Sequence, residues 1–246
     1  MVLVKEGTTI ASVPALLYFR TSKEACAEQG TMLFYHGFGG NKEKSETHLE
    51  SLAQAGFLVI GLDAIGHGQR QYAHFTQMFH NERWTKEPEA TEADYLTIVR
   101  QTAAEVPMIV DALLSCGWAR PERLGIGGIS MGGEITYAAI VNEPRLRVAT
   151  PILGSPEWEL PWSESPHRHP ERFFPVALFS QAAEKDEAVP ARFICAFHEQ
   201  LTPRYASAPD RLCYLEYPDV GHGLSPRLWE TTRQHMVAWV KRFLLA

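Results

Sequence analysis

An α/β fold, with a mostly parallel central sheet of about eight strands, helices on both faces and a small cap, is predicted by three features of the sequence. Short apolar runs alternate with longer stretches of helical periodicity, as βαβ units require. Residues 57–62 (FLVIGL) are apolar throughout, the pattern of a strand buried on both sides of a parallel sheet. A glycine-bracketed serine at 128–132 (GISMG) lies between a strand pattern and a helix pattern.

Taken in order, residues 14–20 (PALLYFR) and 31–35 (TMLFY) read as strands, with a Ser-, Glu- and Gly-bearing segment between them that suits a hairpin turn. Residues 44–55 have a helical pattern and Gly56 stands where a glycine would end it. Residues 66–88 show weak periodicity and several aromatic and His side chains, which predicts a loop or small lid. Thr91 to Asp94 (TEAD) reads as a capping box opening a long apolar-periodic helix, with Pro107 expected to kink or split it. Residues 123–129 form the next strand pattern, followed by a helix over 134–141. Residues 148–153 and 176–179 are two further strands, and the Pro-, Trp- and His-rich segment 155–175 between them is a second candidate lid. Residues 191–205 are helical, 212–217 (LCYLEY) form the last strand, and Ser225-Pro226 opens a final helix with Ser as N-cap and Pro at the first helical position.

One domain is the expectation for the 246 residues. The chain is 45% hydrophobic and 21% charged, enough apolar material for a sizeable core. A formal net charge of -6 argues against nucleic-acid binding, which calls for a basic face. No apolar run approaches membrane-span length, and Lys5 and Glu6 interrupt the start, so neither a membrane segment nor a signal peptide is expected. A cytoplasmic address follows. Cys26, Cys116, Cys195 and Cys213 are scattered without a CxxC, the pattern of free thiols.

Four clusters carry the chemistry. The GISMG turn would strain the backbone at Ser130, lift its hydroxyl out of the sheet and set a helix N-terminus beneath it. Residues 36–40 (HGFGG) follow a strand directly; the backbone N–H of Phe38 would be one oxyanion donor and that of Met131 the other. His36 itself reads as structural. Residues 221–223 (GHG) place His222 between the last strand and the last helix, where it can serve as the base a serine nucleophile needs. Asp186 in 185–190 (KDEAVP) is the foremost carboxylate to brace that imidazole, with Glu184, Glu187 and Asp219 as competitors. Trp158, Trp162, Phe173, Phe75, Phe79 and Trp84, on the two lid candidates, are expected to line the substrate pocket or to pack against the domain. His167 and His169 beside Glu164 and Glu171 lack metal-site spacing, so no metal is expected.

The motifs HGFGG, GISMGG, DEAVP and GHG, in that order, resemble the α/β-hydrolase superfamily, in which the triad runs Ser, Asp, His along the chain. More narrowly, the chain resembles small bacterial esterases grouped with dienelactone hydrolases and the catalytic domains of prolyl-oligopeptidase-type peptidases. Residues 61–70 (GLDAIGHGQR) add to this, and the resemblance spans about 30 to 223. It implies the fold, a triad of Ser130, Asp186 and His222, oxyanion donors at Phe38 and Met131, and hydrolysis of an ester or related acyl bond without a cofactor. Asp63 and His67 then read as loop-shaping residues. Dienelactone hydrolases carry cysteine at the nucleophile, so Ser130 disfavours that activity. No propeller precedes the motifs, which disfavours a prolyl oligopeptidase proper, and the short lids disfavour a lipase-type cap. The expectation is a carboxylesterase acting on short-chain or aromatic acyl esters through an acyl-serine, as a monomer or homodimer. A small serine peptidase, a thioesterase and a non-catalytic binding protein on the same fold are the alternatives.

Overall fold

The structure, a computed structural model, describes residues 2–245. Eight strands form one sheet in the order β1-β2-β4-β3-β5-β6-β7-β8. β1 (Val4–Ile10) and β2 (Val13–Phe19) make a hairpin that turns at Ala11 and Ser12, both with positive φ, as a tight two-residue turn between twisted strands demands. The segment after β2 holds no hairpin turn. It forms a short helix, α1 (Lys23–Ala27), capped by Ser22, and β3 (Thr31–Tyr35) then pairs in parallel with β4 (Leu58–Leu62). β2 runs antiparallel to β4 instead, and every pairing from β4 to the far edge is parallel.

Between β3 and β4 lies α2 (Glu46–Gln54), which ends at Gly56 with φ +106°. After β4 come α3 (Phe75–Met78), α4 (Asn81–Lys86) and the long α5 (Pro88–Ser115). The opening of α5 differs from the capping box read at Thr91. Pro88 begins the helix, and the Thr91 hydroxyl, already inside it, donates back to the Glu87 carbonyl at 2.8 Å. Pro107 sits within the same helix and does not split it. β5 (Leu124–Ile129), α6 (Met131–Asn142), β6 (Val148–Ile152) and β7 (Ala177–Ala183) follow. α7 (Ala191–Leu201), β8 (Leu212–Tyr217) and α8 (Pro226–Leu244) complete the chain, with Ser225 Oγ accepting from the Leu228 N–H.

The two-residue period of the strands divides the core. Leu33 and Tyr35 of β3 face α5 and α6 in one apolar cluster, while Met32 and Phe34 face α2 and α8 in the other. Burying both faces is what makes the central strands continuously apolar. All four cysteines are free. Among the described residues no helix is long and apolar enough to cross a membrane.

Candidate active site

Each chemistry-bearing residue leaves the sheet at the carboxyl end of a parallel strand, where open α/β sheets gather their ligand sites. Ser130 stands between β5 and α6 with φ 56° and ψ -118°, a conformation an L-residue adopts only when its surroundings impose it. Its backbone N–H donates to the Ile152 carbonyl at 2.8 Å and its carbonyl accepts from the Glu134 N–H at 3.0 Å, pinning the turn from both sides. The flanking glycines are steric requirements. A Cβ on Gly128 would lie 2.3 Å from the Gly132 carbonyl oxygen, and one on Gly132 would lie 2.2 Å from the Tyr35 carbonyl oxygen.

His222, on the loop between β8 and α8, reaches across the sheet. Its Nε2 lies 2.9 Å from Ser130 Oγ and its Nδ1 lies 2.7 Å from Asp186 Oδ2. With the proton on Nδ1 donated to the carboxylate, Nε2 is left to accept the serine hydroxyl. The Asp186 side chain is buried, and its Oδ1 accepts the N–H groups of Ala188 and Val189 at 3.0 and 2.9 Å. The competing acids are engaged elsewhere or stand apart. Asp219 pairs with Lys185 Nζ at 2.7 Å, Glu184 accepts the Asp219 N–H at 2.7 Å, and Glu187 lies on the cavity wall.

The loop after β3 brings Gly37 beside the serine, close enough that a Cβ there would sit 3.6 Å from Ser130 Cβ. Among the described residues the N–H groups of Phe38 and Met131 donate to no acceptor; two free amides beside a nucleophile can stabilise an oxyanion. His36 braces this loop. Its Nδ1 donates to the Gly37 carbonyl at 2.8 Å and its Nε2 accepts the Ala64 N–H at 3.2 Å, while burial lowers its pKa to about 4, keeping it neutral. Asp63 accepts from the Lys42 ammonium at 2.7 Å and the Gln69 N–H at 3.0 Å, and the His67 ring packs on Phe38 and Phe75. Both shape loops around the serine rather than touching it.

A cavity of about 670 Å³ opens over Ser130 and His222. Trp84 and Trp158 line it; the other four predicted pocket aromatics do not. Phe75 packs tilted and Phe79 edge-on against Phe38, at 5.4 and 4.9 Å between ring centroids, supporting the loop from outside. Trp162 packs edge-on against Trp158, and Phe173 is buried in the core against Phe197. Tyr95, Trp229 and the carboxylates Glu92, Glu134, Glu157 and Glu159 also line the cavity, and sequence reasoning missed all six. Glu134 carried the one available signal, since it follows the serine by four residues and so rises one helical turn behind it.

The chain is 26% identical over 150 residues to esterase YjfP of Escherichia coli (strain K12), a match covering 61% of this chain and 55% of that protein. YitV of Bacillus subtilis (strain 168) is 21% identical over 246 residues, covering 88% of this chain and 91% of the relative. Among solved structures, TT1662 from Thermus thermophilus superposes with a TM-score of 0.76 at 20% identity, over 100% of both chains. The fold is that of the α/β-hydrolases. Residues 27–185 match the model of the family described as serine aminopeptidase, S33, and the chain belongs to that family of hydrolases.

Proposed function

We propose that this hydrolase is a serine carboxylesterase in which Ser130 is the nucleophile, His222 the general base and Asp186 the residue that orients it. The observation that carries this reading is the unbroken relay from Ser130 Oγ to His222 Nε2 at 2.9 Å and from Nδ1 to Asp186 Oδ2 at 2.7 Å. Ser130 Oγ attacks the acyl carbonyl as its proton passes to Nε2. The Phe38 and Met131 amides hold the oxyanion. The C–O bond to the alcohol breaks, the imidazolium returns its proton to the leaving oxygen, and an acyl-serine remains. Water, deprotonated by the same imidazole, attacks the acyl carbon, the C–O bond to Ser130 breaks, and the imidazolium returns its proton to Oγ as the acid leaves.

The esterase relative at 26% identity supports an ester as the substrate. The cavity's aromatic wall and moderate volume suit short-chain or aromatic acyl groups. We further propose a single domain acting in the cytoplasm, as a monomer or homodimer, on small molecules. The description of the family favours a second reading, cleavage of an aminoacyl amide by the same machinery.

A fluorophosphonate probe is expected to label the wild type and not Ser130→Ala, and p-nitrophenyl esters of increasing acyl length should show turnover that falls with length. Wild-type protein that neither takes the label nor hydrolyses any ester would overturn the proposal. An aminoacyl-nitroanilide panel separates the amide reading, which predicts turnover exceeding that of the matched esters.

A further inference from the structure

We infer that the cavity around Ser130 selects a substrate bearing an organic cation, an ester with an ammonium group on one limb. This deepens the ester-hydrolase reading and rests on it. Among the described residues five carboxylates line the cavity, at Glu92, Glu134, Glu157, Glu159 and Glu187, and no lysine or arginine does. None of the five forms an ion pair among the described residues, although the exposed surface of the same chain pairs its charges freely. A concave wall of one sign with low-dielectric backing concentrates ions of the opposite sign.

The acids are not merely a solvated rim. Glu134 is buried and Glu92 and Glu157 are half-buried, while Glu159 and Glu187 are exposed at the opening. Glu134 Oε2 accepts the Tyr95 hydroxyl at 3.0 Å. Burial raises the Glu134 carboxyl to about 8, and burial with the nearby Glu159 charge raises Glu92 to about 7. An arriving cation would favour the ionised form of both carboxyls and offset the burial that holds their protons on.

Trp158 supplies an independent sign of a ligand. Its indole lines the cavity and is 5% exposed, and its Nε1–H is shielded with no acceptor among the described residues. A buried donor left unmatched is costly, and a small shift of the indole on binding would let an ester oxygen supply the acceptor. The aromatic faces of Trp84, Tyr95 and Trp158 on the same wall favour an organic cation over a bare metal ion. No group of three or more metal-ligating side chains gathers among the described residues.

Matched ester pairs test the inference. A choline ester is compared with its analogue carrying carbon in place of the quaternary nitrogen, and the p-nitrophenyl ester of γ-trimethylammoniobutyrate with its carbon analogue. In at least one pair the charged ester should have ~10-fold or greater kcat/KM. That ratio should fall towards one in Glu92→Gln/Glu159→Gln. Because the ratio is taken within each variant, a general loss of activity cancels.

Equal or poorer turnover of the charged member in both pairs overturns the inference while leaving the hydrolase intact, as does a ratio unmoved by the double substitution. Should Ser130 take the fluorophosphonate label yet neither pair turn over, tetramethylammonium must slow labelling more than tert-butanol does; equal protection overturns the inference. Loss of both labelling and all turnover strikes the hydrolase reading, and this inference with it.

Discussion

Ser130 Oγ and His222 Nε2 stand 2.9 Å apart although 92 residues separate them in the chain. The contact exists because each residue leaves the carboxyl end of a different parallel strand on the same edge of the sheet. Ser130→Ala should therefore abolish ester turnover. Asp186→Asn should keep the fold and lower kcat by ~10³- to 10⁴-fold, because the amide favours the wrong imidazole tautomer. Steady-state kinetics beside a circular-dichroism melt checks both, and an Asp186→Asn enzyme within ~10-fold of wild type would remove the acid from its role.

The backbone around Gly132 leaves no room for a methyl group. The atoms a Cβ would strike belong to the Tyr35 and His36 main chain, which cannot rotate away as a side chain could. Gly132→Ala should lower unfolding free energy by ~1–3 kcal/mol or more and displace the serine, so that activity falls further than stability alone accounts for. Urea unfolding and fluorophosphonate labelling rates read the two effects separately.

Lys42 and Asp63 form a buried pair at 2.7 Å, with side chains 3% and 0% exposed. Removing Lys42 strands Asp63, and removing Asp63 leaves the buried ammonium only the outlying Glu43 carboxylate at 3.2 Å. Asp63→Asn should cost ~3–5 kcal/mol by chemical denaturation, whereas Asp63→Leu/Lys42→Met should recover much of that loss. Equal losses for the single and the double variant would contradict the pairing argument.

Burial raises Glu134 from 4.5 to about 8. The folded state thus holds a proton that the unfolded chain releases earlier. Stability from this group is present below about 4.5 and drains away as pH rises towards 8, by at most ~5 kcal/mol. Glu134→Gln should flatten that decline. Urea midpoints measured across this range for the wild type and the variant give the slope difference, and parallel slopes would show that Glu134 titrates normally.

The meeting of Ser130, Asp186 and His222 was legible because turn chemistry is local. Glycine spacing at 128 and 132 and at 221 and 223 marks places where only small residues fit or loops bend. β1 was not legible. Its sequence, VKEGTTI, lies largely exposed on the sheet edge and carries no clean apolar alternation. Thr91 misled because a Pro three residues earlier took the helix start. The cavity's carboxylates were illegible for a different reason. Glu92 and Tyr95 share α5, three residues apart, while Glu134 sits on α6, and only the packing of one helix on the other brings Tyr95 onto Glu134. The predicted lid aromatics went astray in the same way, since Phe75 and Phe79 found Phe38 to pack against instead of open space.

The loops that carry Asp186 and His222 are stitched together, with the Lys185 N–H on the Val220 carbonyl at 2.8 Å and the Glu184 N–H on the Tyr217 carbonyl at 3.0 Å. Ser130 hangs from β6 in the middle of the sheet by a separate bond. The carboxylate is held to the middle of the sheet as well, because β7 pairs with β6 and the Leu153 N–H donates to the Gln181 carbonyl at 2.8 Å, so the imidazole loop alone depends on the edge strand β8. Fraying of the outermost strand, β8, would carry off the imidazole and leave its carboxylate behind on β7, beside a hydroxyl that is in register but inert. Such a molecule would fall silent well before it melts, and would recover at the speed of a single edge strand re-docking.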